Sequence, residues 1–165
     1  MKIAIVYQYK YPEHLGGGER RFFEIFKRFN FPIDWYTQSN DIKHREGNFN
    51  IIPLMKDVNK RSVYETFLWS IAVLRIPFGK YDVIHLGQMP FFHIFTLLIK
   101  YKIFLLLGMN RPILAVDWWE YWGEHWNRFI FPFNMLGRSV EKFILRYIDN
   151  IVVLSDKTRN DIKYF

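Results

Sequence analysis

Short β-prone runs alternate with segments of helical periodicity along this chain, and that alternation limits the fold more than any other feature. The runs are Ile3–Tyr7, Ile33–Thr37, Asn50–Leu54, Tyr81–Gly87, Ile113–Val116 and Asn150–Ser155. Between them, apolar residues recur at helical spacing. Phe22, Ile25, Phe26 and Phe29 form one predicted inward face, and Tyr64, Phe67, Leu68, Ile71 and Ala72 a second. A helix from Phe91 follows Pro90, and another spans Ser139–Ile148 with Val140, Phe143, Ile144 and Tyr147 inward. Ser155 and Asp156 read as the start of a last helix. Pro53 marks its strand as short or at an edge. Strand–helix units with short connections predict an α/β fold, a mostly parallel sheet flanked by helices on both faces. Ligands in such sheets bind beyond the carboxyl ends of the strands. The informative loops are therefore those after Tyr7, Leu86, Val116 and Leu154.

The 165 residues fit one domain with a substantial core, without repeats or low-complexity linkers. One residue in five is aromatic, more than a core of this size needs, which points to surfaces built for contact. The absence of cysteine excludes disulfides and thiolate metal sites. A net charge of +7 calls for an anionic partner. The basic clusters, Arg20-Arg21, Lys43-His44-Arg45 and Lys60-Arg61, are short, however, and a solvated surface explains them equally well. With no basic stripe and no aromatic RNA-binding motif, nucleic acid is not the expected partner. The apolar stretch Phe91–Gly108 is interrupted by His93, Lys100 and Lys102 and falls short of the ~20 residues a span requires. It reads as a helix sandwiched within the fold, or one partly exposed to lipid with Lys100 and Lys102 reaching phosphates.

Three groups of residues carry the functional reading. Gly16, Gly17 and Gly18 follow the first strand and open the first helix, where backbone N–H groups and the helix dipole favour an anion. Their spacing is neither G-x-G-x-x-G nor a Walker loop. Arg20 and Arg21 follow at once. They are either ligand contacts, or an Arg20–Glu24 pair beside a solvated Arg21. The segment Val116–Phe129 holds four of the six tryptophans with Asp117, Glu120, Glu124 and His125. Such a mixture either stacks and hydrogen-bonds a sugar or packs as an aromatic anchor for a long loop. His85 ends a strand at the ligand-facing edge, as a site residue or as a cap. No metal-ligand spacing and no G-x-S-x-G elbow is present.

Four blocks, taken in order, resemble the N-terminal half of family-4 glycosyltransferases of the GT-B fold. They are GGGERR after the first strand, YDVIHLGQMP in mid-chain, WWEYWGEHW, and GRSVEKFILRYIDNIVVLSDKTRNDI at the end. The resemblance covers nearly the whole chain, and its last block is the most specific. It implies that residues 1–165 form a single Rossmann-like, acceptor-side domain of a retaining, nucleotide-sugar-dependent transferase.

In that picture Gly16, Gly17, Gly18 and Arg20 approach the donor phosphate or the acceptor substrate, and His85, Gly87, Gln88, Asp117, Trp119 and Glu120 line the acceptor cleft. The resemblance further implies no metal and no cofactor beyond the nucleotide-sugar co-substrate. The acceptor is a glycan or a lipid-linked sugar, and the location is cytoplasmic, associated with the cytoplasmic face of an anionic membrane. The sequence departs from the pattern in two places. Relatives usually carry a histidine, followed by an acidic residue, after the fifth strand, where this chain has Trp119 before Glu120. No E-x7-E motif or second Rossmann unit lies within the 165 residues. A donor-binding domain, in cis or in trans, is thus an expected partner. The alternative is a stand-alone binding or membrane-recruiting subunit that serves a separate donor-domain chain.

Overall fold

The first strand, β1 (Ile3–Val6), is enclosed on both sides, and the rest of the chain is built outward from it. The structure is a computed structural model and describes residues 1–57, 62–129 and 131–165. The Lys60-Arg61 cluster lies outside the described residues. On one side β1 pairs in parallel with β2 (Ile33–Gln38), and on the other with β5 (Val83–Gly87). β2 is followed outward by β4 (Phe49–Met55), and β5 by β6 (Ile113–Trp118) and β7 (Asn150–Val153), all parallel. A three-residue strand, β3 (His44–Glu46), runs antiparallel on the outside of β4. Among the described residues the sheet has seven strands in the order β3-β4-β2-β1-β5-β6-β7. The fold is a Rossmann-like α/β sandwich, as the alternation of runs predicts.

Strand alternation divides the core into two. Ala4, Val6, Ile84, Leu86, Leu114, Val116 and Trp118 face three helices: α2 (Val63–Ala72), α3 (Phe91–Leu106) and α4 (Phe133–Tyr147). On the opposite face Ile3, Ile5, Ile33, Trp35, Phe49 and Ile51 pack under Phe22 and Phe26 of α1 (Gly17–Phe26). A short helix, α5 (Asp156–Ile162), closes the chain, with the Ser155 side chain accepting from the Thr158 N–H as its cap.

Several expectations change. β4 is not a short edge strand. It runs seven residues, and β3 covers only its first part, as far as the Ile51–His44 pair. Pro53 falls just beyond that cover, where the outer side of β4 needs no N–H donor. β3 itself was not expected, because HRE carries no apolar alternation. In α1, Phe22 and Phe26 are buried but Ile25 is exposed.

In α2 the anticipated face is rotated, and of its five residues only Ala72 is buried as expected. Tyr64, Phe67 and Ile71 are exposed, while Glu65, Trp69 and Ala72 point inward. This helix is apolar nearly all round, so periodicity alone does not fix its rotation. The deciding contacts are polar: the Glu65 carboxylate accepts from Gln8 Nε2 (3.0 Å) and the Tyr9 hydroxyl, and the Glu65 N–H donates to the Ser62 cap.

α4 begins six residues earlier than the sequence suggests, and Tyr147 is exposed, whereas Val140 and Ile144 are buried. α3 is sandwiched between α2 and α4, but Lys100 does not reach outward. Its ammonium donates to the carbonyls of Leu74 (2.8 Å) and Ile76 (2.6 Å), and burial lowers its pKa. No helix among the described residues is long and apolar enough to cross a membrane.

Candidate functional site

A cleft of about 410 Å³ opens where the chain leaves β1, β6 and β7, at the carboxyl edge of the sheet. Its walls are Tyr7, Gly16, Gly17, Gly18, Glu19, Arg21, Trp119 and Leu154. The glycines are bare for different reasons. A side chain at Gly18 would collide with the Trp119 ring and with the Tyr7 hydroxyl oxygen, 2.7 Å from its Cβ. One at Gly16, the N-cap of α1, would strike the carboxylate of Glu19. Only Gly17 faces open space. Two of the three glycines thus accommodate the protein's own side chains. Glu19 is buried in the first turn of α1, so a carboxylate already sits where the helix dipole favours negative charge.

Arg20 is exposed and is not among the lining residues; Arg21 takes the place expected of it. Helical phase explains the choice, because Arg21 lies three residues after Gly18 and shares its side of the helix. The expected Arg20–Glu24 pair is not formed either: Glu24 pairs with Lys27 at 2.7 Å. Arg21 is not simply solvated. Its Nε donates to Asp117 Oδ2 at 2.6 Å, and Asp117 Oδ1 accepts from His85 Nε2 at 2.9 Å. Burial works to raise the Asp117 carboxyl, but the hydrogen bonds from His85 and Arg21 outweigh it and hold it below the usual aspartate range. An ionised carboxylate only accepts, so the bonded nitrogen of His85 carries its proton.

β6 and β5 bring this pair together. Gly87 is the register partner of Asp117, and His85 lies two residues earlier on the same face of the sheet. His85 is not a cleft residue, contrary to expectation. Its ring lies under α1 between Phe22 and Phe26, edge-on to both at 5.3 Å. Asp117, too, is buried behind Arg21 rather than exposed at the wall. His85 and Asp117 form a chain that fixes the Arg21 guanidinium, which keeps further N–H donors at the cleft.

Gly87 and Gln88 are buried as well. Gly87 leaves room for the Tyr7 ring. Gln88 braces the opposite wall: its Oε1 accepts from the N–H groups of Trp119 (2.7 Å) and Glu120 (3.1 Å), and its Nε2 donates to the Glu120 carbonyl. Trp119 does line the cleft, with its ring edge against Tyr7 at 5.6 Å. Its carbonyl accepts from the Thr158 hydroxyl at 3.0 Å, and its indole N–H is buried without an acceptor among the described residues. The Glu120 side chain turns away to a neighbouring hollow of about 330 Å³ with Trp122, His125, Arg128 and Phe129.

The remaining tryptophans are structural. Trp118 and Trp126 are core residues around Phe91. The loop that carries them is held by Glu141 of α4, which is buried. Its carboxylate accepts from Trp122 N (2.8 Å), Gly123 N (3.0 Å) and Trp126 Nε1 (2.9 Å). Burial raises the Glu141 carboxyl above its ordinary value, against the effect of those three bonds. Among the described residues no group of three or more histidines, aspartates or glutamates is placed to hold a metal ion.

Sequence reasoning did not single out Glu19 or Glu141; it offered Arg21 only alongside Arg20 as a ligand contact, and Tyr7 and Leu154 only as the starts of informative loops. The signal that separates Arg21 from Arg20 is its i+3 relation to Gly18. A Rossmann-like α/β domain with a cleft at the carboxyl edge of its sheet is the class that fold and site define. A scan against protein-family models finds no match, and no curated protein matches the chain.

Proposed function

We propose that this chain is the acceptor-side domain of a retaining, nucleotide-sugar-dependent glycosyltransferase. In this reading it works with a donor-binding domain supplied in cis or in trans. The observation that carries the reading is the cleft itself: the open backbone at Gly17, the flat wall of Trp119 and the Arg21 guanidinium immobilised by Asp117 and His85. An indole face suits the C–H surface of a sugar, while Arg21 and the buried Glu19 offer a fixed donor and a fixed acceptor to hydroxyls. The buried indole N–H of Trp119 would gain from a ligand oxygen able to reach it.

The charges support a division of labour. The lining carries one acidic and one basic side chain, Glu19 and Arg21, and Arg21 is already paired with Asp117. A hydroxyl-rich acceptor suits that lining better than a lone diphosphate, whose charge the partner domain would carry. The nucleotide-sugar is then the co-substrate, with no other cofactor required, and the acceptor is a glycan or a lipid-linked sugar at the cytoplasmic face of a membrane. The side of β6 and β7 next to α1 suits the proposed partner domain. There Ile113, Val152 and Leu154 are exposed, although parallel sheets are normally covered on both faces.

Two measurements test this. Transfer activity of the gene product together with its donor domain, across a panel of nucleotide-sugars, should appear with one of them. Titration of the domain alone with sugar acceptors should shift amide resonances of residues 16–21 and 119. No transfer with any donor, or shifts that avoid those residues, would sink the reading.

A further inference from the structure

Beyond the tryptophan loop, five of the described apolar side chains point outward. Phe129, Phe131, Phe133, Met135 and Leu136 are between 44 and 71 % exposed, within eight positions of one another. They crowd the start of α4, next to the hollow rimmed by His125 and Arg128. Burying them in the domain would have been the ordinary outcome, since α4 already supplies Val140, Ile144 and Leu145 to the core. Pro132 caps α4 here, and the close fit of Gly137 against the Trp126 ring anchors the helix with this tip projecting.

From the tip onward along α4 the exposed charges have one sign. From Arg128 to Tyr147 the ionisable groups are Arg128, Arg138, Glu141, Lys142 and Arg146. Glu141, the one carboxylate, is buried and bonded to three N–H donors. Arg128, Lys142 and Arg146 are exposed, and Arg138 is half-buried, bonded to Asn127 at 2.6 Å. Two exposed carboxylates, Glu120 and Glu124, precede the tip, and Glu120 shares the hollow with Arg128 and Phe129, but the cations outnumber them. An apolar tip backed by exposed cations is complementary to an anionic lipid surface, where rings enter the acyl boundary and cations meet headgroups.

We infer that residues 128–129 and 131–147 form a membrane-docking surface for anionic lipid bilayers, with the aromatic tip as the inserted element. The tip lies at the same edge of the sheet as the candidate cleft, because α4 starts in the connection that leaves the carboxyl end of β6. The inference does not depend on the transferase reading. It needs only the exposed tip and its cations.

Flotation of the full chain with vesicles tests it. The chain should float with 3:1 phosphatidylcholine–phosphatidylglycerol vesicles in low salt, stay behind with pure phosphatidylcholine, and detach at 0.5 M salt. Phe131→Ser with Phe133→Ser should weaken binding at least tenfold with an unchanged circular dichroism spectrum. Lys142→Gln and Arg146→Gln should each weaken it about fivefold. Leu106→Ser with Leu107→Ser, exposed apolar residues at the end of α3, should leave it unchanged. The inference is overturned by failure to float with anionic vesicles. It is equally overturned if the α3 variant abolishes binding while the tip variant does not, or if the tip variant only dissociates a self-associated form. Transfer activity enters none of these readouts, so the two proposals can fail separately.

Discussion

Removing the Asp117 carboxylate should show how firmly Arg21 is fixed. Asp117 is 1 % exposed in its side chain, Arg21 30 % and His85 15 %. Breaking a buried ion pair costs about 3–5 kcal/mol, mostly from the charge left unpaired. In Asp117→Ala the stranded groups are Arg21 and His85, both reachable by water, so about 2–3 kcal/mol is expected. In Arg21→Ala the stranded group is the buried Asp117, with His85 as its remaining partner, so the cost rises to about 3 kcal/mol or more. In the double variant neither charge is left behind, and the cycle should return a coupling of about 1–3 kcal/mol. For a domain of this size each kcal/mol moves Tm by about 2–4 °C, so Asp117→Ala lowers Tm by roughly 4–12 °C.

Urea and thermal unfolding at pH 7, followed by circular dichroism, measure all four proteins. The pH dependence gives an independent check. The Asp117 pKa is depressed in the fold, so its stabilisation is present above the ordinary aspartate value and is lost as pH falls through the folded value. The gap between wild type and Asp117→Ala should therefore narrow in acid. A coupling below about 0.5 kcal/mol, or a gap that stays constant from pH 7 to pH 3, would refute the claim that Asp117 holds Arg21.

Two further outcomes are expected. Gly17→Ala should be neutral or stabilise by up to about 1 kcal/mol, since its Cβ meets nothing and alanine favours the helix. Gly18→Ala should destabilise by about 1–3 kcal/mol through Trp119 and Tyr7 and abolish the acceptor-induced shifts; equal unfolding midpoints in urea for the two variants would contradict this. His93 is fully buried on α3, and burial pushes its pKa down from 6.5 to about 4, against the pull of its backbone hydrogen bonds. The unfolded chain therefore takes up the proton first, and stability falls as pH drops from about 6.5 towards 4, by about 3 kcal/mol at roughly 1.4 kcal/mol per pH unit. Urea midpoints across that window should lose this slope in a His93→Leu variant, and an unchanged slope would refute it.

The parallel sheet was legible because continuous β-prone runs such as IAIVY need cover on both faces, and every one of them became a strand. Helix rotation was less legible. α2 is apolar all round, and a single buried carboxylate, Glu65, turns Trp69 inward and leaves Phe67 in solvent. The site was legible as a place but not as a set of side chains. The glycine loop and Trp119 do meet, yet Arg20 and Arg21 are adjacent in sequence and only the phase of α1 separates them. Gln88 looked like a ligand contact because the family resemblance places it in the acceptor cleft, and His85 because it reads as the end of a strand at the right edge. Their hydrogen bonds are spent on Glu120 and Trp119 in one case and on Asp117 in the other, and partners more than thirty residues away leave no local trace.

Glu141 has a mechanical consequence. Three hydrogen bonds fasten the tryptophan loop to one carboxylate on α4, so the helix and the loop behave as a single stiff lever rather than as two hinged parts. That lever carries the aromatic tip at one end. Through Glu120 and Trp119, which Gln88 clamps to the end of β5, its other end is the wall of the cleft. With Glu141 holding the loop on one side and Gln88 on the other, the Trp119 wall beside Gly18 is tied to both α4 and the end of β5.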